Sequence, residues 1–225
     1  MPGRKTPLVN NEIYHIVNRG ISHQPVFLNK RHYQRALQTI FYYQNKQLPF
    51  KYSRFITLSN ERRLEILEEL KTQREFLVEI IAFCLMPSHF HLLLKQIVDE
   101  GISKFMSNFT NSYTRYFNTR NERKGSLFQG KFKAVRIKTD EQLIHVSRYI
   151  HLNPYSSYVI KTLKELGNYL YSSFPEYLEK SENGFCDKEI VLDQFKDIKS
   201  YKKFVSDQAD YQRKLEIIKH LVLEE

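Results

Sequence analysis

The stretch AFCLMPSHFHLLLK, residues 82–95, decides the fold, because it predicts a hairpin of two buried strands. Its apolar run is broken by a Pro-Ser pair, which favours a tight turn, and then resumes. Residues two apart in a strand point to one face, so His89 and His91 project together while Phe90 points the other way. Their backbones are about 7 Å apart, which allows two imidazoles to converge on one divalent cation. Isolated pairs of this kind are more often ordinary histidines, so support from elsewhere is needed.

The elements around this hairpin predict a βαββαβ order. EIYHIVNR alternates as a strand does, and the following helix has Asn29 as its N-cap. A charged helix capped by Ser59 is inserted before the hairpin, and the last helix starts at Thr139 and is stopped by Pro154. This order is typical of the ferredoxin-like α+β fold, an antiparallel sheet with helices on one face, here followed by an extra helix. The predicted strands are 12–19, 76–86, 89–96 and 126–138, and the predicted helices are 30–46, 59–73, 102–120 and 139–153.

The charge of the chain is unevenly distributed. The net charge is +10, but residues 1–175 hold 26 basic and 13 acidic side chains, whereas residues 176–225 hold 9 and 12. We interpret the first part as the functional domain and residues 176–225 as a helical C-terminal extension. Nucleic acid is the commonest partner of a basic domain of this kind, and a surface that only serves solubility is the alternative.

Cysteine content and hydropathy predict a soluble cytoplasmic protein. Cys84 and Cys186 are too few for a disulfide framework, and neither has a neighbouring cysteine at the spacing of a zinc site. No apolar run approaches the roughly 20 residues of a membrane span, and the first residues lack the apolar core of a signal peptide. Membranes are therefore not expected among the partners.

A second group of polar side chains occurs in SRYIHLNPY, residues 147–155. Tyr149 and Asn153 are four residues apart and share one helix face, whereas His151 lies about 200° round the helix. A helix on the sheet can thus direct a phenol and an amide towards the histidine pair. The alternatives are a core aromatic at Tyr149 and simple helix termination at the Asn-Pro pair.

Several cations are candidates for contacting a nucleic-acid backbone. Neither face of the strand KFKAVRIK is uniformly basic, but its charges lie near those of the preceding helix and turn. For each cation taken singly, a solvated surface position is the alternative. The predicted DNA-binding residues are Lys131, Lys133, Arg136, Arg115, Arg120, Arg123 and Lys124.

Four motifs together resemble a known family. YHIVNRG, MPSHFHLLLK, GSLFQGKFKAVRI and YIHLNPY occur in this order between about residues 9 and 156. In combination they closely resemble the single-tyrosine HUH transposases, in the branch of the REP-associated tyrosine transposases. HUH denotes two histidines separated by a bulky hydrophobic residue, and Phe90 fills the middle place.

The resemblance implies a metal-dependent endonuclease and strand transferase that acts on single-stranded DNA during transposition. Its two histidine ligands correspond to His89 and His91, which would hold Mg²⁺ or Mn²⁺. The nucleophile corresponds to Tyr149, which would form a 5′-phosphotyrosine intermediate. Asn153 stands where some relatives carry a third, amide ligand. The expected substrate is a hairpin or imperfect palindrome at an element end, bound by a monomer or a homodimer.

Other interpretations remain open from the sequence. A non-catalytic, domesticated nucleic-acid-binding regulator with the same fold is the main alternative, and a replicative or conjugative nickase shares the chemistry. Tyr113 and Tyr116 are rival nucleophiles, interpreted as core or base-stacking aromatics. Cys84 is a weak candidate for joining the histidines in a zinc site, because no fourth partner accompanies it.

Overall fold

The computed structural model describes residues 7–179 and 184–215, which form a four-stranded sheet with helices on both sides. The strand order is β2-β3-β1-β4, and each neighbouring pair is antiparallel. This is the predicted ferredoxin-like arrangement, which is confirmed. The strands are β1 (Ile13–Arg19), β2 (Val78–Met86), β3 (His89–Gln96) and β4 (Lys133–Ile137). The helices are α1 (Lys30–Tyr43), α2 (Tyr52–Phe55), α3 (Asn60–Gln73), α4 (Gly101–Arg120), α5 (Asp140–Ser156), α6 (Leu163–Leu166), α7 (Phe174–Tyr177), α8 (Glu189–Leu192) and α9 (Ile198–Ser206), with a 3-10 turn at Ile21–His23.

The turn between β2 and β3 is fixed by the segment that follows β1. The backbone N–H groups of Val26 and Phe27 both donate to the Pro87 carbonyl, at 2.7 and 3.0 Å. The N–H of Gly20 donates to the Ser88 carbonyl at 2.8 Å. A Cβ at Gly20 would lie only 2.3 Å from the Gln24 carbonyl oxygen, so no larger residue fits this position. These bonds hold the start of β3 in a defined place.

The two faces of the sheet carry different helices. Helices α1 and α4 cover one face, where alternate strand residues such as Ile16, Phe90 and Leu92 are fully buried. Helix α5 covers β2 and β3 on the opposite face, against Ala82 and Leu93. The core helices therefore lie on one face as predicted, and the extra helix α5 lies on the other.

The predicted N-caps form. The side chains of Asn29, Ser59 and Thr139 each accept a hydrogen bond from the backbone N–H three residues later. Such caps satisfy one of the donors that the first helical turn leaves without an intrahelical acceptor.

Several predicted boundaries are wrong: α1 ends at Tyr43 rather than 46, β2 begins at Val78 rather than 76, and two further differences have a structural reason. The fourth strand begins at Lys133 rather than near 126, since Gly125 and Gly130 both adopt positive φ and interrupt the extended chain. Helix α5 continues through Pro154 to Ser156, because Pro154 lies in the last turn of the helix. Beyond the proline, the Ser157 N–H still donates to the Asn153 carbonyl, at 3.0 Å.

The C-terminal segment packs against α5. Tyr177, Val191, Tyr201 and Val205 are fully buried in the same cluster as the inner side of α5. Helix α7 spans the expected boundary between residues 175 and 176, and the division into two domains stays a prediction. The end of the predicted helical extension, residues 216–225, lies outside the described residues.

Within residues 7–179 and 184–215, no helix is long and apolar enough to span a bilayer. Cys84 and Cys186 are both present as free thiols.

Candidate active site

The two motif histidines begin β3 and lie on the face that α5 covers. Their ring centroids are 5.1 Å apart and their planes are nearly perpendicular, at 83°. His91 is buried, and His89 is half-buried. The Ser88 hydroxyl lies 3.2 Å from Nδ1 of His89. The strand alternation in HFH thus places both imidazoles on one face, as predicted.

A third histidine, which sequence reasoning did not assign to the site, completes this group. His15 lies in the neighbouring strand β1, diagonally across from His91, because Val17 is the residue directly opposite His91. The Nε2 atom of His15 is 2.9 Å from Nδ1 of His91, and the two ring planes are nearly parallel, at 20°, with centroids 5.1 Å apart, so the rings lie side by side. Burial lowers the pKa of His15 to about 4, so this imidazole is neutral at pH 7.

Helix α5 brings Tyr149 to the same histidines. The Tyr149 ring meets His91 edge-on, with centroids 5.5 Å apart at 86°, and meets His15 at 6.0 Å and 74°. Asn153, one turn later, is buried, and its Nδ2 donates to the Tyr149 carbonyl at 2.9 Å. The same carbonyl accepts from Gln212 Nε2 at 3.2 Å. The amide of Asn153 is thus oriented by the helix that carries the tyrosine.

His151 of the same motif has a separate environment. It is fully buried between the Tyr201 hydroxyl, 2.7 Å from Nδ1, and the Ser173 hydroxyl, 2.8 Å from Nε2. Burial lowers the pKa of His151 to about 3, so it is neutral and both nitrogens are engaged in hydrogen bonds. It therefore joins α5 to the C-terminal segment and does not face the sheet histidines.

The two other candidate nucleophiles, Tyr113 and Tyr116, lie away from the histidines. Tyr113 is fully buried on the face covered by α1 and α4, where its hydroxyl donates to the Val26 carbonyl at 2.6 Å. Tyr116 is half-buried on the same helix, next to the Arg35 guanidinium, which is 5.0 Å from its ring centroid. Both tyrosines are thus on the opposite side of the sheet from the histidines.

Cys84 is opposite His91 in the hairpin and is fully buried, which raises the pKa of its thiol. Its Sγ contacts Met86 Sδ at 3.6 Å. In the part of the chain that the structure describes, no three or more His, Cys, Asp and Glu side chains form a group that fits a metal ion. A zinc site that includes Cys84 has no support.

The predicted DNA-binding cations of β4 divide between the two faces of the sheet. Lys133 pairs with Val17 and is exposed on the histidine face, where Val135, 61% exposed, stands opposite His15. Lys131 is exposed just before the strand. Arg136 lies on the other face, where its Nε donates to Glu12 at 2.9 Å and its Nη2 forms an ion pair with the same carboxylate. On the histidine face, Lys133 and Val135 of β4 are thus exposed beside the partly buried residues of β1.

The remaining predicted cations line the opposite side of the molecule. A groove of about 1240 Å³ lies between α1, residues 45–56 and α4, and none of the described residues that line it is acidic. A smaller depression continues along α4, where Arg115 is joined by Arg123 and Lys124. The cations of the large groove are Arg35, Lys46, Lys51, Lys104, Arg115 and Arg120.

Residues 48–153 match the model of the family described as IS200-like transposases. Over this segment the chain is similar to that transposase family, and the resemblance predicted from the motifs is confirmed to that extent. The matched segment contains the β2-β3 hairpin, α4, β4 and most of α5, including His89, His91 and Tyr149.

Among solved structures, the chain is similar to one described as the REP-associated tyrosine transposase bound to a REP hairpin. The TM-score is 0.50 with 14% identity, and the likeness covers 82% of this chain and 90% of the other. At this identity the comparison shows the shared fold. A search of curated proteins finds no match.

Proposed function

We propose that the protein is a metal-dependent endonuclease and strand transferase for single-stranded DNA, with Tyr149 as its nucleophile. The observation that carries this proposal is the position of the Tyr149 ring, 5.5 Å from that of His91 on the face shared with His89. Binding of DNA alone does not require a phenol beside two imidazoles. The family match supports the transposase class, within which this chemistry is an expected activity.

The donor chemistry of two imidazoles and one amide would suit a divalent cation. His89 and His91 would hold it through imidazole nitrogens, and the amide oxygen of Asn153 is the proposed third ligand. Imidazole suits Mn²⁺ better than Mg²⁺, which prefers oxygen ligands, so we expect Mn²⁺ to support activity at least as well. When bound, the cation supplies positive charge that polarises the scissile phosphate and stabilises the charge developing on it.

The chain's own residues would perform the bond exchange. A phenol with a pKa of about 10 is a weak nucleophile at neutral pH, so Tyr149 must lose its proton as its oxygen attacks phosphorus. The new bond joins Tyr149 Oη to phosphorus, and the bond to the 3′ oxygen breaks. That oxygen takes up a proton and leaves as a 3′-OH, while the 5′-phosphate stays on the tyrosine. A second 3′-OH can then attack the same phosphorus, which releases Tyr149 and rejoins DNA without a nucleotide cofactor.

The two basic surfaces suggest how one DNA molecule is bound. The reacting single strand would lie over the histidine face, beside the exposed side chains of Lys133 and Val135. The basic groove on the other side, which contains Arg115 and Arg120, fits a second phosphate backbone such as a hairpin arm. The similar solved structure is that of a transposase with a REP hairpin, which supports a folded DNA end as the substrate.

The experiment that tests this proposal combines the purified protein with labelled single-stranded DNA from the flanks of its own gene. Incubations contain Mn²⁺, Mg²⁺ or EDTA. We expect a denaturant-resistant protein-DNA adduct that requires a metal and is absent in Tyr149→Phe but retained in Tyr113→Phe. Binding of these DNAs without a nick or an adduct in either metal would contradict the proposal and favour the regulator, for which the basic groove alone would suffice.

A further inference from the structure

We infer that His15 is a positioning residue: it accepts a hydrogen bond from His91 and thereby sets which ring nitrogen of His91 is presented to the cation. This inference rests on the proposed function, because it concerns the metal site of that reaction. It assigns a role to the β1 motif YHIVNRG. This motif contains neither the proposed nucleophile nor either of the two proposed histidine ligands.

The geometry requires that one of the two rings donates. Nε2 of His15 and Nδ1 of His91 are 2.9 Å apart, and a hydrogen bond between neutral imidazoles needs one proton between these atoms. If the proton is on His91 Nδ1, then Nε2 of His91 carries the lone pair that a metal requires. If the proton is on His15, His91 carries its own proton on Nε2 and cannot ligate through that atom. Metal binding through Nε2 therefore selects His15 as the acceptor.

His89 shows a parallel arrangement. Its Nδ1 is 3.2 Å from the Ser88 hydroxyl, so both motif histidines have Nδ1 engaged by a neighbouring side chain. In each ring the other nitrogen, Nε2, is the one that we assign to the cation. Metal-binding histidines commonly donate their second N–H to a carboxylate, a carbonyl or water, which fixes the tautomer and the ring orientation.

The sheet makes His15 a rigid acceptor. β1 and β3 are the two central strands, and seven residue pairs register them over the length of β1. The two rings are nearly coplanar, at 20°, and meet edge to edge along the line of this hydrogen bond, which favours a linear N–H···N geometry. A carboxylate in this place would orient His91 equally well, but it would add a negative charge beside the cation. An imidazole that accepts through Nε2 adds no such negative charge, which leaves the positive charge of the cation to act on phosphate.

Mn²⁺ titration of the full-length chain by calorimetry tests this role with two substitutions. His15→Phe keeps an aromatic ring but removes the acceptor, and we expect a Kd for Mn²⁺ about 10- to 100-fold higher than in wild type. His15→Gln restores an acceptor oxygen, and we expect its Kd to be closer to wild type than to His15→Phe. His91→Ala is the control that tests the metal site itself.

A second readout needs no metal. In protein with ¹⁵N-labelled histidine and EDTA, we expect nitrogen chemical shifts that place the His91 proton on Nδ1 in wild type and His15→Gln. In His15→Phe we expect the proton to be found at Nε2 in a substantial share of the molecules. A purely structural role for His15 would not move this equilibrium.

The outcomes separate the two proposals. Unchanged Mn²⁺ affinity in His15→Phe, with weak binding in His91→Ala, would overturn the role of His15 alone. Equal losses in His15→Phe and His15→Gln with an unchanged His91 tautomer would also overturn it. Wild-type Mn²⁺ affinity in His91→Ala would overturn the proposed metal site, and with it the inference.

Discussion

Tyr149 and Tyr113 show how environment separates two residues of one type. Tyr149 is half-buried and its ring meets His91 and His15, whereas Tyr113 is fully buried against the Val26 carbonyl on the far side of the sheet. Burial raises the pKa of Tyr113 well above the ordinary value for a phenol, which opposes the loss of its proton. The geometry of Tyr149 suits a nucleophile, and that of Tyr113 suits a core residue.

Substitution should therefore affect these two tyrosines in opposite ways. Tyr113→Phe leaves the buried Val26 carbonyl without its donor, and we expect unfolding in urea to require about 1–3 kcal/mol less free energy. Tyr149→Phe should change the free energy of unfolding by much less and abolish the DNA adduct. A stable Tyr113→Phe with no adduct would contradict this division.

The buried His151 predicts a pH dependence of stability. Its pKa is lowered to about 3 in the folded protein, from about 6.5 when unfolded, so the unfolded state binds the extra proton between these values. The contribution of neutral His151 to the free energy of unfolding is therefore fully present above pH 6.5, and it is lost as the pH falls towards 3. Between pH 7 and pH 5 this one residue should lower the free energy of unfolding by about 2 kcal/mol.

Urea unfolding of wild type and His151→Gln in EDTA measures this contribution. Burial also lowers the pKa values of His15 and His32, so the informative quantity is the difference between the two proteins in the pH dependence of the free energy. We expect a shallower loss of stability in His151→Gln on acidification. Parallel pH profiles would show that His151 is accessible to protons in the folded state.

Helix α5 is the element on which the site depends, and it is held from two sides. One side packs on β2 and β3, and the other packs on the C-terminal segment through Tyr201, whose hydroxyl meets His151 at 2.7 Å and Ser147 at 3.1 Å. The C-terminal segment thus contributes to the position of Tyr149 although the family match ends at residue 153.

Tyr201→Phe tests this support. The substitution removes the hydroxyl while it keeps the ring, and it leaves His151 Nδ1 and the Ser147 hydroxyl without this buried partner. We expect unfolding to require about 1–3 kcal/mol less free energy in a denaturant titration. Tyr211→Phe, at an exposed position, is the matched control and should be neutral. An equally neutral Tyr201→Phe would show that the C-terminal segment does not stabilise α5.

The order of the elements and their faces could be predicted from the sequence, because alternation and helical spacing are local signals. The HFH pattern placed His89 and His91 on one face, and Asn29, Ser59 and Thr139 marked the helix starts. The contact of His15 with His91 could not be predicted. The two histidines are 76 residues apart in sequence, and their contact depends on the register between β1 and β3. Local signals also fail at Pro154, which predicts the end of the helix. The helix instead continues to Ser156, and the Ser157 N–H donates to the Asn153 carbonyl.

At the scale of the whole molecule, the predicted DNA-binding cations lie on two separate surfaces. The groove along α4 lies on the face covered by α1 and α4, and the proposed active site lies on the opposite face of the sheet. The sequence predicted the cations but not this division, because Arg136 is held by Glu12 and α4 turns Arg115 and Arg120 away from the histidines. A folded DNA end that reaches around the sheet would contact both surfaces.

Charge reversal in the groove should weaken DNA binding without removing the chemistry. For Lys104→Glu with Arg115→Glu, we expect weaker binding of a hairpin and a salt dependence of log K reduced by about 2. Adduct formation at saturating DNA should persist. Lys202→Glu with Lys203→Glu makes the same change in charge on α9 and should have little effect. Equal losses in both double variants would mean that only the net charge matters.

Locating the covalent bond is the sharpest test of Tyr149 as the nucleophile. Protein incubated with its flanking single-stranded DNA and Mn²⁺ is treated with nuclease and protease, and the peptides are analysed by tandem mass spectrometry. We predict a nucleotide attached through phosphate to the peptide that contains Tyr149, with none in EDTA. A nucleotide on Tyr113, on Tyr116 or on a residue other than tyrosine would contradict the account, as would DNA cleavage that leaves no nucleotide on the protein.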